Sequence, residues 1–145
     1  CIYAAAGIDT RPEYKSNRAR VKFFMNESVV KGKVVAIGDD SVVRGTVFRD
    51  GMIYKLRKAG AEKIYPIISC PALLHACIKD TKGTNFAAYG LEGSVEEIGK
   101  QVAKKLNADF VCYPTTEDMV ESVGFDDLCK ACIDGKFPVN EEFWR

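Results

Sequence analysis

The sequence has no apolar run long enough to cross a bilayer, which takes about 20 consecutive residues. Its first residues also lack the basic-then-apolar order of a secretory leader. A surplus of one charge is missing as well: 21 Lys and Arg against 20 Asp and Glu leave a net charge of +1. That balance gives no electrostatic reason to bind nucleic acid or a membrane surface. The local cluster Arg11, Lys15, Arg18, Arg20 and Lys22 reads as a solvated edge or a contact for an anionic ligand. Histidine is reduced to His75, so any zinc site would have to draw most of its four ligands from cysteine. Repeats and low-complexity tracts are absent, which excludes solenoids and fibrous architectures.

What is there fits one soluble domain. The 145 residues are 47% hydrophobic and 28% charged, enough to bury a core without covalent staples. The six cysteines, Cys1, Cys70, Cys77, Cys112, Cys129 and Cys132, are an even number and could in principle pair. With no leader and a chain of this length, a reducing cytoplasm with free thiols is the expected setting. Cys70 (PIISCP) and Cys112 (ADFVCYP) sit in apolar surroundings and read as small buried hydrophobes.

Apolar composition makes Val34 to Gly38 a buried strand. Phe48, Met52, Leu56 and Ala59 then recur at helical spacing, with Gly60 placed to end the helix. Glu62 to Ser69 returns to strand-forming residues. Strand, loop, helix, strand is one βαβ unit, so the two strands should be parallel with a right-handed crossover. Upstream, RVKFF reads as a short strand and NESVVKGK as a turn-rich link. Residues 79–93 read as loop or lid. Ser94 and Glu97 form a capping box at the start of a helix whose buried stripe is Val95, Ile98, Val102 and Leu106. Asp109 to Tyr113 reads as a further strand and TTEDMVESVG as a further helix. Cys129 and Cys132 fall on a helical turn or tight loop. The class is α/β.

The chemistry concentrates in VVAIGDDSVVRGT, residues 34–46. In an open α/β sheet, ligands bind beyond the carboxyl ends of the strands, and Asp39 and Asp40 stand where the first strand stops. The loop Ser41 to Thr46 leads into a helix, whose N-terminal N–H groups favour a phosphate. Ser41 and Thr46 add hydroxyls, and Gly45 lets the backbone approach an anion closely. Two carboxylates repel a phosphate, so they suit the hydroxyls of a ribose or a Mg²⁺ ion held by a polyphosphate. The pattern therefore fits a sugar phosphate.

The same string resembles the phosphoribosylpyrophosphate (PRPP) signature of type I phosphoribosyltransferases. More specifically, Asp39-Asp40-Ser41-Val42-Val43-Arg44-Gly45-Thr46 is similar to the DDSxVRGT string of the glutamine PRPP amidotransferases of purine synthesis. VKFFMNESVVKG, LRKAGAEKIY, IISCPALLHAC, SVEEIGKQVAKKLNADFVCY and CKACIDGKFPV resemble further family segments in the same order. The resemblance covers residues 21–139, flanked by a poorly matched segment 1–20 and a tail 140–145. It implies a type I phosphoribosyltransferase-like parallel sheet, incomplete at its N-terminal side, with a helical C-terminal segment. It also implies attack of ammonia on C1 of PRPP with loss of pyrophosphate. In that reaction Asp39 and Asp40 hold the ribose hydroxyls, Ser41 to Thr46 (Val42, Val43, Arg44 and Gly45 included) anchor the 5′-phosphate, and Mg²⁺ neutralises the leaving group. The partners implied are PRPP, a glutaminase domain or subunit as ammonia source, and self-association. Two other readings stay open: a non-catalytic PRPP- or nucleotide-binding regulatory module, and one piece of a split enzyme. Two departures stand out. No glutaminase follows Cys1, and Gly38 replaces a bulky β-branched residue.

Cys129-Lys130-Ala131-Cys132 is a C-x-x-C that alone could be redox-active, zinc-binding or inert. The resemblance implies a 4Fe–4S cluster, with Cys77, Cys129 and Cys132 matching three ligand positions and Cys1 as the fourth upstream cysteine. His75 reads as a surface residue near that group.

Overall fold

A computed structural model describes residues 25–76 and 86–137. The expected segment 1–20, the RVKFF strand and the tail 140–145 lie outside the described residues, as do Cys1 and Cys77. The link NESVVKGK is in fact opened by a short helix, α1 (Glu27–Val30). Asn26 caps it, its side chain accepting the Ser28 N–H. An Asn at this position satisfies an amide that the helix itself leaves open, and it outweighs the turn signal of the following Lys-Gly-Lys.

Strand β1 (Val34–Asp39) pairs in parallel with β2 (Lys63–Ile68), from Val34 opposite Lys63 to Asp39 opposite Ile68. Side chains alternate across such a ladder. Val35, Ile37, Ile64, Pro66 and Ile68 therefore share one face, while Val34, Ala36, Gly38, Tyr65 and Ile67 share the other. The first face carries the core. Ile37, Ile64 and Ile68 are buried there with Phe48, Ile53, Leu56, Val102, Leu106 and Val111, each large aliphatic contributing roughly 1.5–3 kcal/mol. The second face is open: Val34 is 57% and Ile67 50% exposed.

The connection between the strands begins as a π-helical segment, Val47–Ile53, that runs directly into α2 (Tyr54–Lys58). The Tyr54 N–H reaches back five residues to the Arg49 carbonyl. The wider turn shifts the phase of the helix by one residue. Phe48, Gly51, Ile53 and Leu56 are the buried positions, and Met52 is only partly covered. Of the expected stripe Phe48, Met52, Leu56 and Ala59, only Met52 is corrected, its place in the core being taken by Ile53. Gly60, in the left-handed region at φ +83°, ends the helix as its position in the sequence suggests.

The segment 109–113 runs beside β2 but forms only a single parallel bridge, Cys112 to Ile67, rather than the expected strand. Cys112 donates to the Pro66 carbonyl and accepts from the Ile68 N–H. Continuing that ladder by one step would need an N–H at position 66, which proline does not have. The Asp109 carboxylate takes over at the next open position, accepting the Ile64 N–H at 2.7 Å.

Two capped helices complete the described fold. In α3 (Val95–Leu106), Ser94 Oγ accepts from the Glu97 N–H and Glu97 Oε2 accepts from the Ser94 N–H. Its buried residues are Ile98, Gly99, Val102, Ala103 and Leu106. A Cβ at Gly99 would run into the Val111 carbonyl, so glycine sets the close approach of this helix to residues 110–111. In α4 (Thr116–Val123), Thr115 and Asp118 make a second capping box, and none of its residues is fully buried. A last short helix, α5 (Ala131–Asp134), follows Cys129. Among the described residues, no helix is long and apolar enough to cross a membrane.

Candidate functional site

Asp39 is the last residue of β1, and Asp40 follows it into the loop. The neighbouring chain continues the ladder past the strand ends. The Ser69 N–H donates to the Asp39 carbonyl at 3.1 Å, and the Cys70 N–H to the Asp40 carbonyl at 2.9 Å. Both acids therefore stand on backbone fixed from the side, although their carboxylates are exposed. Each carboxylate is also oriented by the residue after it. Asp39 Oδ1 accepts the Asp40 N–H at 2.9 Å, and Asp40 Oδ1 accepts the Ser41 N–H at 2.7 Å. Each Oδ2 stays outside these bonds, in reach of a ligand hydroxyl or cation.

The loop is anchored where it turns. Val42 is buried in the core, so it contributes backbone rather than a ligand-facing side chain. The Val43 carbonyl accepts the Ala87 N–H at 2.7 Å. Gly45 adopts φ +74°, and a Cβ there would collide with Leu106 Cδ2. Its carbonyl takes the Arg49 N–H at 2.8 Å, which closes the first turn of the helical segment directly behind the loop. The N–H groups at the start of that segment have no acceptor within the helix, the arrangement on which anions settle. Thr46 is half-buried, and Ser41 lies at the rim beside Asp40. The stretch Asp39 to Thr46 thus runs from the carboxyl end of β1 into the helical segment, with Asp39, Asp40 and Arg44 exposed, Ser41, Val43 and Thr46 half-buried, and Val42 and Gly45 buried.

Three features of the site are not visible in the local sequence. Cys70 sits beside Asp40. Burial, and secondarily the Asp40 charge, push its thiol above the ordinary range. Tyr113, beyond the Cys112 bridge and next to Ile68 in register, buries its hydroxyl with no hydrogen-bond partner among the described residues. Burial foremost, and Cys70 secondarily, raise its pKa far beyond the usual range for a phenol. Residues 86–88 lie buried against the loop.

The cysteine pair lies at α5. Cys129 is exposed and Cys132 half-buried. The Cys132 carbonyl accepts two N–H groups, from Leu74 at 2.9 Å and His75 at 3.0 Å. The exposed His75 ring lies against Gly135, where an added Cβ would stand 3.2 Å from ring atoms. The segment that leads to position 77 is thus tied to the C-x-x-C. Among the described residues, no three His, Cys, Asp or Glu side chains converge closely enough to hold a metal ion. Two of the four cysteines read as cluster ligands, Cys1 and Cys77, lie outside the described residues.

No protein-family model matches the chain. Among curated proteins it is similar to the amidophosphoribosyltransferase of Methanocaldococcus jannaschii, 37% identical over 128 residues that make up 86% of this chain and 26% of the relative. It is likewise similar to that of Bacillus subtilis, 35% identical over 127 residues, 82% of this chain and 25% of the relative. Among solved structures, the B. subtilis glutamine PRPP amidotransferase complexed with ADP and GMP matches with a TM-score of 0.67 and 26% identity. That match covers 94% of this chain and 30% of the other. A second, described as the allosteric regulatory enzyme of purine biosynthesis, matches with a TM-score of 0.68 and 25% identity over 97% of this chain and 31% of the other. The chain spans about a quarter of the length of the curated relatives it matches.

Proposed function

From the homology of this chain to a segment of the amidophosphoribosyltransferases, we propose that it holds the ribose 5-phosphate half of PRPP. The chemistry it serves is the formation of 5-phosphoribosylamine from PRPP and ammonia. The observation that carries this reading is the rim itself: two carboxylates oriented by their own neighbours stand beside an anchored loop that opens onto a helix start. Asp39 and Asp40 accept hydrogen bonds from the vicinal ribose hydroxyls. They hold negative charge near C1 as the bond to pyrophosphate breaks and the ring turns cationic. Backbone amides of the loop, with the Ser41 and Thr46 hydroxyls, grip the 5′-phosphate and fix the sugar in line for attack. No protein nucleophile is needed. Ammonia comes from a glutaminase elsewhere in the assembly or from solution, and the setting is the reducing cytoplasm.

The two exposed carboxylates are suitable oxygen donors for Mg²⁺. Mg²⁺, when bound, supplies charge neutralisation to the pyrophosphate group. A thiolate-held centre is proposed at Cys129 and Cys132 with Cys77 and Cys1, since iron–sulfur clusters take four such donors. Its support is the pair of hydrogen bonds that tie residues 74–75 to Cys132. Iron and sulfide analysis of anaerobically purified protein tests it: stoichiometric iron lost in Cys129→Ala supports the centre, and metal-free wild type removes it.

Pyrophosphate release from PRPP at high ammonium, with Mg²⁺ present, tests the transferase reading. Release that disappears in Asp39→Asn/Asp40→Asn supports it. PRPP binding without turnover in the isolated chain favours instead a binding module, or a piece whose catalysis needs the rest of an assembly.

A further inference from the structure

Two consecutive residues at the end of α3 reach the phosphate loop by different routes. Leu106 does so directly, its Cδ2 filling the space beside Gly45. Lys105 does so through an intermediary. Its Nζ donates to the Ala87 carbonyl at 2.8 Å, and the Ala87 N–H donates to the Val43 carbonyl at 2.7 Å. Ala87 is itself buried, and its Cβ lies 3.5 Å from where a Cβ on Gly45 would stand. The bland alternative for a lysine in the last turn of a helix is a solvated head group that favours the helix dipole. Lys105 is an exposed residue, yet its ammonium is directed at one part-buried carbonyl of another segment, a geometry that costs a long side chain its rotamer freedom. The α3 terminus is held in turn: Arg57 donates to the Asn107 carbonyl and pairs with Asp109 at 2.7 Å.

We propose that Lys105 is a positioning residue for the 5′-phosphate, setting the Val43–Thr46 backbone through Ala87 and adding a positive charge to the same side of the loop. The proposal rests on the phosphoribosyl reading of that loop. Neither the DDSVVRGT string nor any local pattern points to position 105; the fold brings it there.

Lys105→Met keeps the apolar stem and removes the charge, and Lys105→Arg keeps both. Amide hydrogen exchange of the unliganded chain reports on the loop, and calorimetry with ribose 5-phosphate and with PRPP reports on binding. Loss of one charge-assisted bond should weaken both ligands roughly 5- to 10-fold in Lys105→Met and speed exchange at Ala87 by a similar factor. The thermal midpoint should stay near the wild-type value, and Lys105→Arg should restore both readouts. A purely structural lysine would move the midpoint and spare the affinity. If the wild type binds both ligands and Lys105→Met binds them equally well, the role of Lys105 falls while the site stands. If the wild type binds neither, the phosphoribosyl reading falls and takes this role with it.

Discussion

Leu106 Cδ2 occupies the volume that a side chain on Gly45 would need, so the last turn of α3 seals the loop that follows Asp40 from behind. Gly45 also has φ +74°, a conformation strained for any residue with a Cβ. Gly45→Ala should therefore combine backbone strain with overpacking and cost about 2–4 kcal/mol. Urea unfolding would show this as a lower midpoint at unchanged slope. A midpoint equal to wild type would contradict the close contact.

Gly38 provides the opposite case. It lies on the open face of β1, at a φ outside the positive region, and a Cβ there meets nothing within 4 Å. Gly38→Val should be neutral to stabilising by about 0.5–1 kcal/mol, because glycine loses more backbone entropy on folding. PRPP affinity should not change, since the acids are oriented by their own loop. A loss of stability above 1 kcal/mol would show that the open face is more crowded than the structure has it.

Acid should loosen the chain at three identifiable carboxylates. Burial pushes Asp109 upward, but the Ile64 N–H and Arg57 outweigh it and hold the carboxyl below its ordinary range. Glu97 and Asp118 are held low by the backbone and side-chain hydrogen bonds of Ser94 and Thr115. A folded pKa below the unfolded one stabilises above the unfolded value and is lost as pH falls through the folded value. Thermal midpoints should hold above pH 5 and decline below about 4, where these carboxyls ordinarily titrate. Asp109→Asn should flatten part of that decline and lower the neutral-pH stability by about 1–2 kcal/mol. An acid limb unchanged in that variant would contradict the assignment.

The Tyr113 hydroxyl is buried without a partner among the described residues, and such a donor costs stability rather than adding to it. Tyr113→Phe should raise the unfolding free energy by about 1 kcal/mol or leave it unchanged. A drop of more than 1 kcal/mol in chemical denaturation would mean that the hydroxyl has a partner.

Legibility followed locality. The acid pair and its loop could be read from thirteen contiguous residues, because strand end, turn and helix start are all set by near neighbours. Ser94 and Glu97 likewise announced α3. What failed depended on distant or subtle effects. The π turn after Thr46 moved burial from Met52 to Ile53, a shift that no 3.6-residue pattern anticipates. Pro66 looked like an ordinary residue of a strand, yet its missing N–H reduced the 109–113 segment to one bridge. Ala87, Lys105 and Tyr113 carry no local motif and gain their place only through packing between segments 18 to 46 residues apart in sequence.

The most direct measurement is calorimetric titration of the chain with PRPP and Mg²⁺, repeated with Asp39→Asn/Asp40→Asn. If the rim is a ribose 5-phosphate site, the wild type binds with one-to-one stoichiometry. The double variant should then lose affinity at least 10-fold, about 1.4 kcal/mol, while its thermal midpoint stays near wild type. Equal affinity in the two proteins, or no binding by the wild type, would contradict it.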